Sequence, residues 1–291
     1  MLTLLFDGVA YGMLLFILAV GLSVTMGLMN FINLAHGAFA MVGGYITVLL
    51  MQRLDVPFLL CLPLAFLGAA LLGAVLERTL YRVMYRKPHL DQVLFSIGLA
   101  FMSVASVDYF MGSQQQIMQL PEWLRGRTEF GNGDHMWLGM GHYRLFIIAV
   151  CAVLTVMLQR VLTRTHFGSR LRASVDDSRV AAGLGIPVNH VFALTFAVGS
   201  GLAGLGGALG AEVLGLDPTF PLKFMVYFLI VVAVGGTSSI TGPLLAALLL
   251  GVADVTGKYY VPKLGAFIVY ALMIALLIWR PQGLFVRKGG K

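Results

Sequence analysis

The chain has 291 residues, of which 59% are hydrophobic and only 11% charged, and its mean hydropathy is +0.89. A soluble domain carries roughly a quarter charged residues, so there is too little charge here to cover a water-facing surface, and a water-soluble fold is excluded. The net charge of +7 does not point to nucleic acid either, because the basic residues are scattered between apolar runs, as in the loops of membrane proteins.

A helix needs about 20 apolar residues to cross the hydrocarbon core. Apolar runs predict spans near 4–28, 38–52, 57–76, 92–112, 144–162, 191–214, 224–234, 243–254 and 264–280. The expected fold is all-α: a polytopic transmembrane helix bundle of about eight to ten spans, some of them discontinuous, forming a single membrane domain over 1–291. The opening MLTLLFDGVAYG has no basic region before its apolar stretch, so the first helix is expected to stay rather than be cleaved as a signal peptide. Cys61 and Cys151 sit inside apolar runs, where a thiol packs as a small hydrophobe; neither a disulfide framework nor a metal site is implied.

The first run is interrupted by Gly27-Leu28-Met29-Asn30-Phe31-Ile32-Asn33-Leu34-Ala35-His36-Gly37. Unpaired backbone within lipid is costly, so such a break survives only inside protein or along a water-filled path. Two readings stand: an interhelical turn with Asn33 capping the next helix, or a discontinuous helix whose Asn33, His36 and Gly37 line a translocation route. Three segments are polar enough to be loops: 77–90, 113–143 and 163–190. The carboxylates near spans, Asp7, Asp108, Glu212 and Asp254, fall near one set of helix ends, where water is expected to reach them.

The 163–190 loop predicts a short amphipathic helix over about 169–182, roughly 20 Å long. Arg172 and Asp176 are spaced i, i+4, with Arg179 three residues on. Leu171, Val175 and Ala182 form its apolar stripe, Gly183 and Gly185 can cap it, and Pro187 forbids continuation. Such a helix lies in the headgroup plane or docks into a groove of a partner; the Asp176-Asp177 pair favours the partner. Further on, small residues recur at 199, 203 and 207 and at 200, 204 and 208, a pattern that favours close helix packing over a lining role. The Gly-Ser-Thr-rich stretch 235–243 either joins two spans or belongs to one span plus a re-entrant piece. Its Ser238 and Ser239 are further route candidates, and its shape echoes the first break, as expected of paired interrupted helices.

Thirteen Lys and Arg fall in 77–90, 160–179 and the C-terminal tail, against seven on the opposite side. This bias predicts that 163–190 and the C-terminus are cytoplasmic. A phosphate-binding loop Gly-x-x-x-x-Gly-Lys-Ser/Thr does not occur: Gly251 to Gly257-Lys258 has one residue too many and is followed by Tyr259. Any ATP that drives transport is hydrolysed by another polypeptide, and no catalytic role is expected of this chain.

The ordered motifs carry a resemblance. They are Asn33-Leu34-Ala35-His36-Gly37-Ala38-Phe39 with Gly43 and Tyr45, then Leu76-Glu77-Arg78 with Tyr81-Arg82, and then Ser96-Ile97-Gly98-Leu99. Gly168-Ser169-Arg170, Arg172-Ala173, Asp176, Ala181 and Gly185-Ile186 follow. Gly235-Gly236, Ser239-Ile240, Gly242 and Arg280-Pro281-Gln282-Gly283-Leu284-Phe285 complete the set. Nearly the whole chain resembles the LivH-type permease subunits of bacterial ABC importers for branched-chain amino acids. It departs from the family pattern at the apolar Val226-Tyr227-Phe228. The resemblance implies an inner-membrane importer with a second, related permease, two cytoplasmic ATP-binding subunits and a periplasmic substrate-binding protein, and no cofactor. It gives 163–190 the coupling role, with Arg172, Asp176, Ala181 and Gly185 against the ATPase. Two other classes compete on the residues alone. A stand-alone secondary transporter or channel needs a mid-span carboxylate, which is not evident. A haem carrier needs facing histidines, but His36 stands alone and the others lie in loops.

Overall fold

Each apolar run becomes a helix in the computed structural model, which describes residues 1–283 apart from 30, 86, 133–134, 237–238 and 281–282. In chain order come α1 (Leu2–Met29), α2 (His36–Leu54) and α3 (Phe58–Leu76), which runs on through a π-helical turn (Glu77–Tyr81) into α4 (Arg82–Met84). Next are α5 (His89–Met111), the short α6 (Glu122–Arg125), strands β1 (Arg127–Asn132) and β2 (His135–Gly141), and α7 (His142–Arg164). Then α8 (His166–Asp176), α9 (Ser178–Gly183), α10 (Val188–Leu214), α11 (Phe220–Gly235), α12 (Thr241–Tyr260) and α13 (Gly265–Trp279) complete the chain. Among the described residues, 6 helices are long and apolar enough to cross a membrane, and Phe220–Gly235 and Phe267–Trp279 are apolar but shorter. The expected all-α polytopic bundle is what forms.

Two local expectations need correction, and one open reading is decided. Most of 77–90 is helix rather than loop, because the third span continues through its π turn to Met84. The 113–143 segment carries α6 and an antiparallel hairpin whose register shifts between Phe130 and Gly131. The 235–243 stretch, for which two readings stood, joins two distinct helices, α11 and α12, as the first of those readings held.

α10 is the hub, packed on α3, α2 and α1. Its small residues are what let three helices approach it. A methyl group at Gly43 of α2 would overlap the Gly204 backbone, one at Gly207 the carbonyl of Ala40, and one at Gly21 of α1 the carbonyl of Gly199. On the third side Gly73 of α3 sits against Ser200, and Gly201 against the ring of Phe66. Residues 199–211 are all buried, so the small-residue pattern is a packing device, on three faces rather than two.

The helices segregate two ends. At the hairpin end the Gly139 N–H donates to Thr3 (3.0 Å), Gln116 N–H to the Leu216 carbonyl (2.7 Å) and Gln52 to the Ile117 carbonyl (3.1 Å), while Arg144 pairs with Asp7. At the other end stands the α8–α9 elbow. α1 runs from the hairpin end to the elbow end and α10 the opposite way, Gly21 facing Gly199 while Gly206 meets Ile17 and Leu18. α2 starts inside the bundle: the His36 ring meets the Leu18 carbonyl, eleven residues before α1 ends, or about 16 Å at 1.5 Å per residue. α11 also starts at depth, since Pro221 packs on Gly37. From this shared level α2 runs to the hairpin end and α11 to the elbow end. α1 packs on α12 as α10 packs on α3, so the two halves are inverted copies in outline. The counterpart of the break before α2 is therefore the turn at 215–219, not the 235–243 stretch that the sequence suggested.

Candidate functional site

The chain between α1 and α2 is buried in protein. Phe31 is enclosed by the edges of Tyr81 and Tyr85, with ring centroids at 5.3 and 5.6 Å. The freed backbone groups are met by α5: the Ile32 N–H donates to Gln92 Oε1 (3.4 Å), and the Ser96 hydroxyl to the Ile32 carbonyl (3.4 Å). Asn33 is fully buried. Its Oδ1 accepts from the Tyr81 hydroxyl (3.0 Å) and from the Ala35 N–H (3.1 Å), and its Nδ2 has no partner among the described residues. This is a turn between separate helices, as the first reading held. The polar residue two before the N-cap position does the bonding, however, and Ala35 at that position has no side-chain cap. It is also a break at depth, as the second reading held.

His36 and Gly37 open α2. His36 Nε2 lies 3.0 Å from the Leu18 carbonyl; a carbonyl only accepts, so that nitrogen carries the proton. The ring stands edge-on to Phe228 at 6.4 Å. A methyl at Gly37 would come within 2.9 Å of the Pro221 Cα, so glycine lets the two buried helix starts touch. Asn33, His36 and Gly37 thus form one cluster at the level where the halves meet. Ser239 does not join them. It lies at the elbow end, where its hydroxyl accepts from the Gly242 N–H (3.3 Å) and lines a cavity with Arg172. Ser238 lies outside the described residues.

The predicted helix over 169–182 is two helices meeting at Asp177. Asp177 is extended (φ −151°), and its carboxylate accepts from the Arg179 and Val180 N–H groups (2.8 and 3.0 Å). An N-cap thus competes with helix continuation and wins. Leu171 and Ala181 are buried, whereas Ala182 is exposed, so Ala181 replaces it in the apolar contact. Arg172 does not pair with Asp176. It donates instead to the Leu162 carbonyl in the last turn of α7, a group without an intrahelical partner. Gly168 lies against the Leu162 backbone and closes the corner. Gly185 has φ +84°; its N–H bonds the Ala182 carbonyl (3.0 Å) and the Ile186 N–H the Ala181 carbonyl (3.0 Å), a Schellman cap that requires this glycine. Beyond the cap the elbow presents Val180 (58% exposed) and Leu184 (77%).

Several polar groups take places that the sequence did not foretell. Glu77 sits buried on the π turn and accepts from the Tyr85 hydroxyl (3.1 Å). Tyr81, on the same turn, carries the bond to Asn33. Asp254 was expected within reach of water but is buried, accepting from Lys258 Nζ (2.6 Å) and the Tyr227 hydroxyl (3.3 Å). A signal was available: Lys258 follows Asp254 by four residues on one helix face. At the 215–219 turn, Asp217 accepts from Lys223 and from Thr219. Partial burial pushes the Asp217 carboxyl up, but the Lys223 ammonium and the Thr219 hydroxyl and N–H outweigh it and hold the carboxyl below its ordinary value.

Residues 4–277 match the family described as branched-chain amino acid transport system/permease component. The chain belongs to this family. The permease is 27% identical over 97% of its length to the high-affinity branched-chain amino acid transport system permease protein LivH of Salmonella typhimurium, covering 94% of that chain. It is likewise 27% identical, over 97% of its length and 95% of the relative, to BraD of Pseudomonas aeruginosa. LivM of Escherichia coli is 27% identical over 94% of this permease and 68% of its own length. No solved structure matches the permease. Family and fold together make it a multi-pass membrane transport permease rather than an enzyme.

Proposed function

We propose that the permease is one of two related membrane subunits of a bacterial ABC importer that carries branched-chain or related small amino acids across the inner membrane. Separate cytoplasmic ATP-binding subunits supply the energy, and a periplasmic binding protein delivers the solute. The observation that carries this reading is the elbow: a folded, capped element outside the bundle, with exposed apolar Val180 and Leu184 at its tip, in a chain that matches the permease family over 4–277. Its Arg172 and Asp176 flank the bundle-side helix, and Ala181 and Gly185 shape the tip that meets the ATPase. The excess of basic residues at this end supports a cytoplasmic elbow and C-terminus. Similarity to both LivH and LivM supports pairing with a related but different chain.

The solute route is assigned to the level of Asn33, His36 and Gly37, with Ser239 towards the cytoplasm. Two buried donors in and just before α2, the Tyr45 hydroxyl and Asn33 Nδ2, have no partner among the described residues. Buried donors are seldom left unpaired, and a polar solute or water passing α2 would supply the acceptor.

The test is co-reconstitution with the ATPase and binding-protein subunits, scored by substrate-dependent ATP hydrolysis and by uptake. Gly185→Arg and Asp176→Arg should each insert normally yet separate ATP hydrolysis from uptake. Normal uptake by both variants would remove the coupling role, and uphill uptake without an ATPase would replace the importer by a secondary transporter.

A further inference from the structure

The corner between α7 and α8 holds two adjoining cavities, the first of which Ser239 also lines. The first, of about 260 Å³, is lined on its polar side by Ser23, Gln159, Thr163, Arg172 and Thr241. The second, of about 240 Å³, is walled by apolar side chains that include Leu158, Phe167, Leu194, Val198 and Leu202. Val24, Leu162 and Leu171 line both, so a mainly apolar compartment that carries several hydrogen-bonding side chains stands beside one with a more uniformly apolar wall.

The first compartment offers hydrogen-bond donors and one cation to an anion. Arg172 uses one N–H on the Leu162 carbonyl and keeps the rest of its donor fork free. Ser23 is only 5% exposed, and its hydroxyl has no hydrogen-bond partner among the described residues. The described lining of either cavity contains no carboxylate. Arg160, Arg164 and Arg170 belong to the same corner, where α7 leaves its apolar stretch and basic residues attract anionic headgroups. The break at Asp177 keeps the basic half of the loop, α8, against the bundle and places the acidic pair at its far end.

A small anion would satisfy the first cavity and leave the second empty, whereas an amphiphile fills both. We infer that the α7–α8 corner is a binding site for an anionic phospholipid. Its phosphate lies between Arg172 and Ser23, and one acyl chain lies between α7 and α10 against Val198 and Leu202. A lipid so placed packs beneath Leu171 and fixes the elbow relative to the bundle.

The purified permease, delipidated in detergent and supplied with phosphatidylglycerol, should retain that lipid in native mass spectra. Retention should fall about tenfold, the equivalent of 1.4 kcal/mol, in Arg172→Gln and in Val198→Trp, and stay unchanged in Leu94→Ala on an exposed face of α5. In phosphatidylethanolamine nanodiscs, adding phosphatidylglycerol should raise the melting temperature of the wild type and leave that of Arg172→Gln where it was. Equal retention by all variants, or the same rise for Arg172→Gln, would overturn the site. An equal rise of the wild type with millimolar inorganic phosphate would make it a free-anion site and overturn the lipid. Neither measurement requires an ATPase subunit, so failure here is distinct from failure of the transport reading.

Discussion

Replacing Gly207 by alanine adds one methyl group where α10 crosses α2, and the nearest atom it meets is the backbone carbonyl of Ala40. Two terms oppose each other. Alanine is favoured over glycine inside a helix by roughly 0.5–1 kcal/mol. Forcing a methylene into a packed interior costs about 1–3 kcal/mol. The obstacle here is backbone, so no side-chain rotation relieves it, and the cost lies towards the upper end of that range. The net expectation is a loss of about 1–2 kcal/mol, a factor of roughly 5–30 in the folding equilibrium.

Gly98 supplies the control, since it is also helical but has nothing within 4 Å of an added methyl. There the helix term acts alone, and Gly98→Ala should be neutral or stabilising by up to about 1 kcal/mol. Thermal unfolding of the two purified variants in the same detergent separates the terms: Gly207→Ala should melt below the wild type and Gly98→Ala at or above it. If both melted together, the close approach of α2 and α10 would not depend on missing side chains, and the account of α10 as hub would be wrong.

Tyr81→Phe removes a buried donor to Asn33 Oδ1 and should cost about 1 kcal/mol, with faster hydrogen exchange confined to 31–36. Lys258→Met should destabilise more than Asp254→Asn in the same melting assay, because it strands a buried carboxylate whereas asparagine leaves no charge; half exposure of Lys258 reduces the usual penalty to about 2 kcal/mol. Asp217, with its pKa held below the unfolded value, contributes stability that is present above about pH 4 and lost as pH falls through the lowered folded value. Melting between pH 6 and pH 3 should therefore show an acid-side loss that is smaller in Asp217→Asn.

How much of this was legible in the sequence depends on what hydropathy reports. Every apolar run became a helix, and the Gly-Ala pattern of 199–210 announced close packing because only small side chains permit it. Gly185 announced its cap through the positive φ that such a turn demands. Hydropathy is silent about depth, however, so nothing showed that α2 and α11 begin inside the bundle. The π turn at Glu77–Tyr81 was hidden because its polar letters imitate a loop. Asp177 was readable in principle: an aspartate two residues before Arg179 is an N-cap signature, but the helical spacing around it spoke for continuity. Of the proposed route residues, Asn33, His36 and Gly37 were legible as a group, while Tyr81, Gln92 and Ser96, which complete their surroundings, are distant in sequence and joined only by the fold.

The packing also limits how such a molecule can move. At the Gly21–Gly199, Gly43–Gly204 and Gly207–Ala40 approaches of α10 to α1 and α2, backbone faces backbone, and a side-chain rotamer at these points cannot absorb a displacement. A close-packed interface of that kind shifts as a body or not at all. The level at which Gly37 touches Pro221 joins the two inverted halves, so a movement that opens this contact must carry α2 with one half and α11 with the other. In the proposed coupling role the elbow drives it: α8 packs on α1, α7 and α10, and its Gly168 corner is locked to the α7 backbone. A push on the exposed tip at Val180 and Leu184 therefore reaches the hub through α8 as a rigid lever, not through the chain that links α9 to α10.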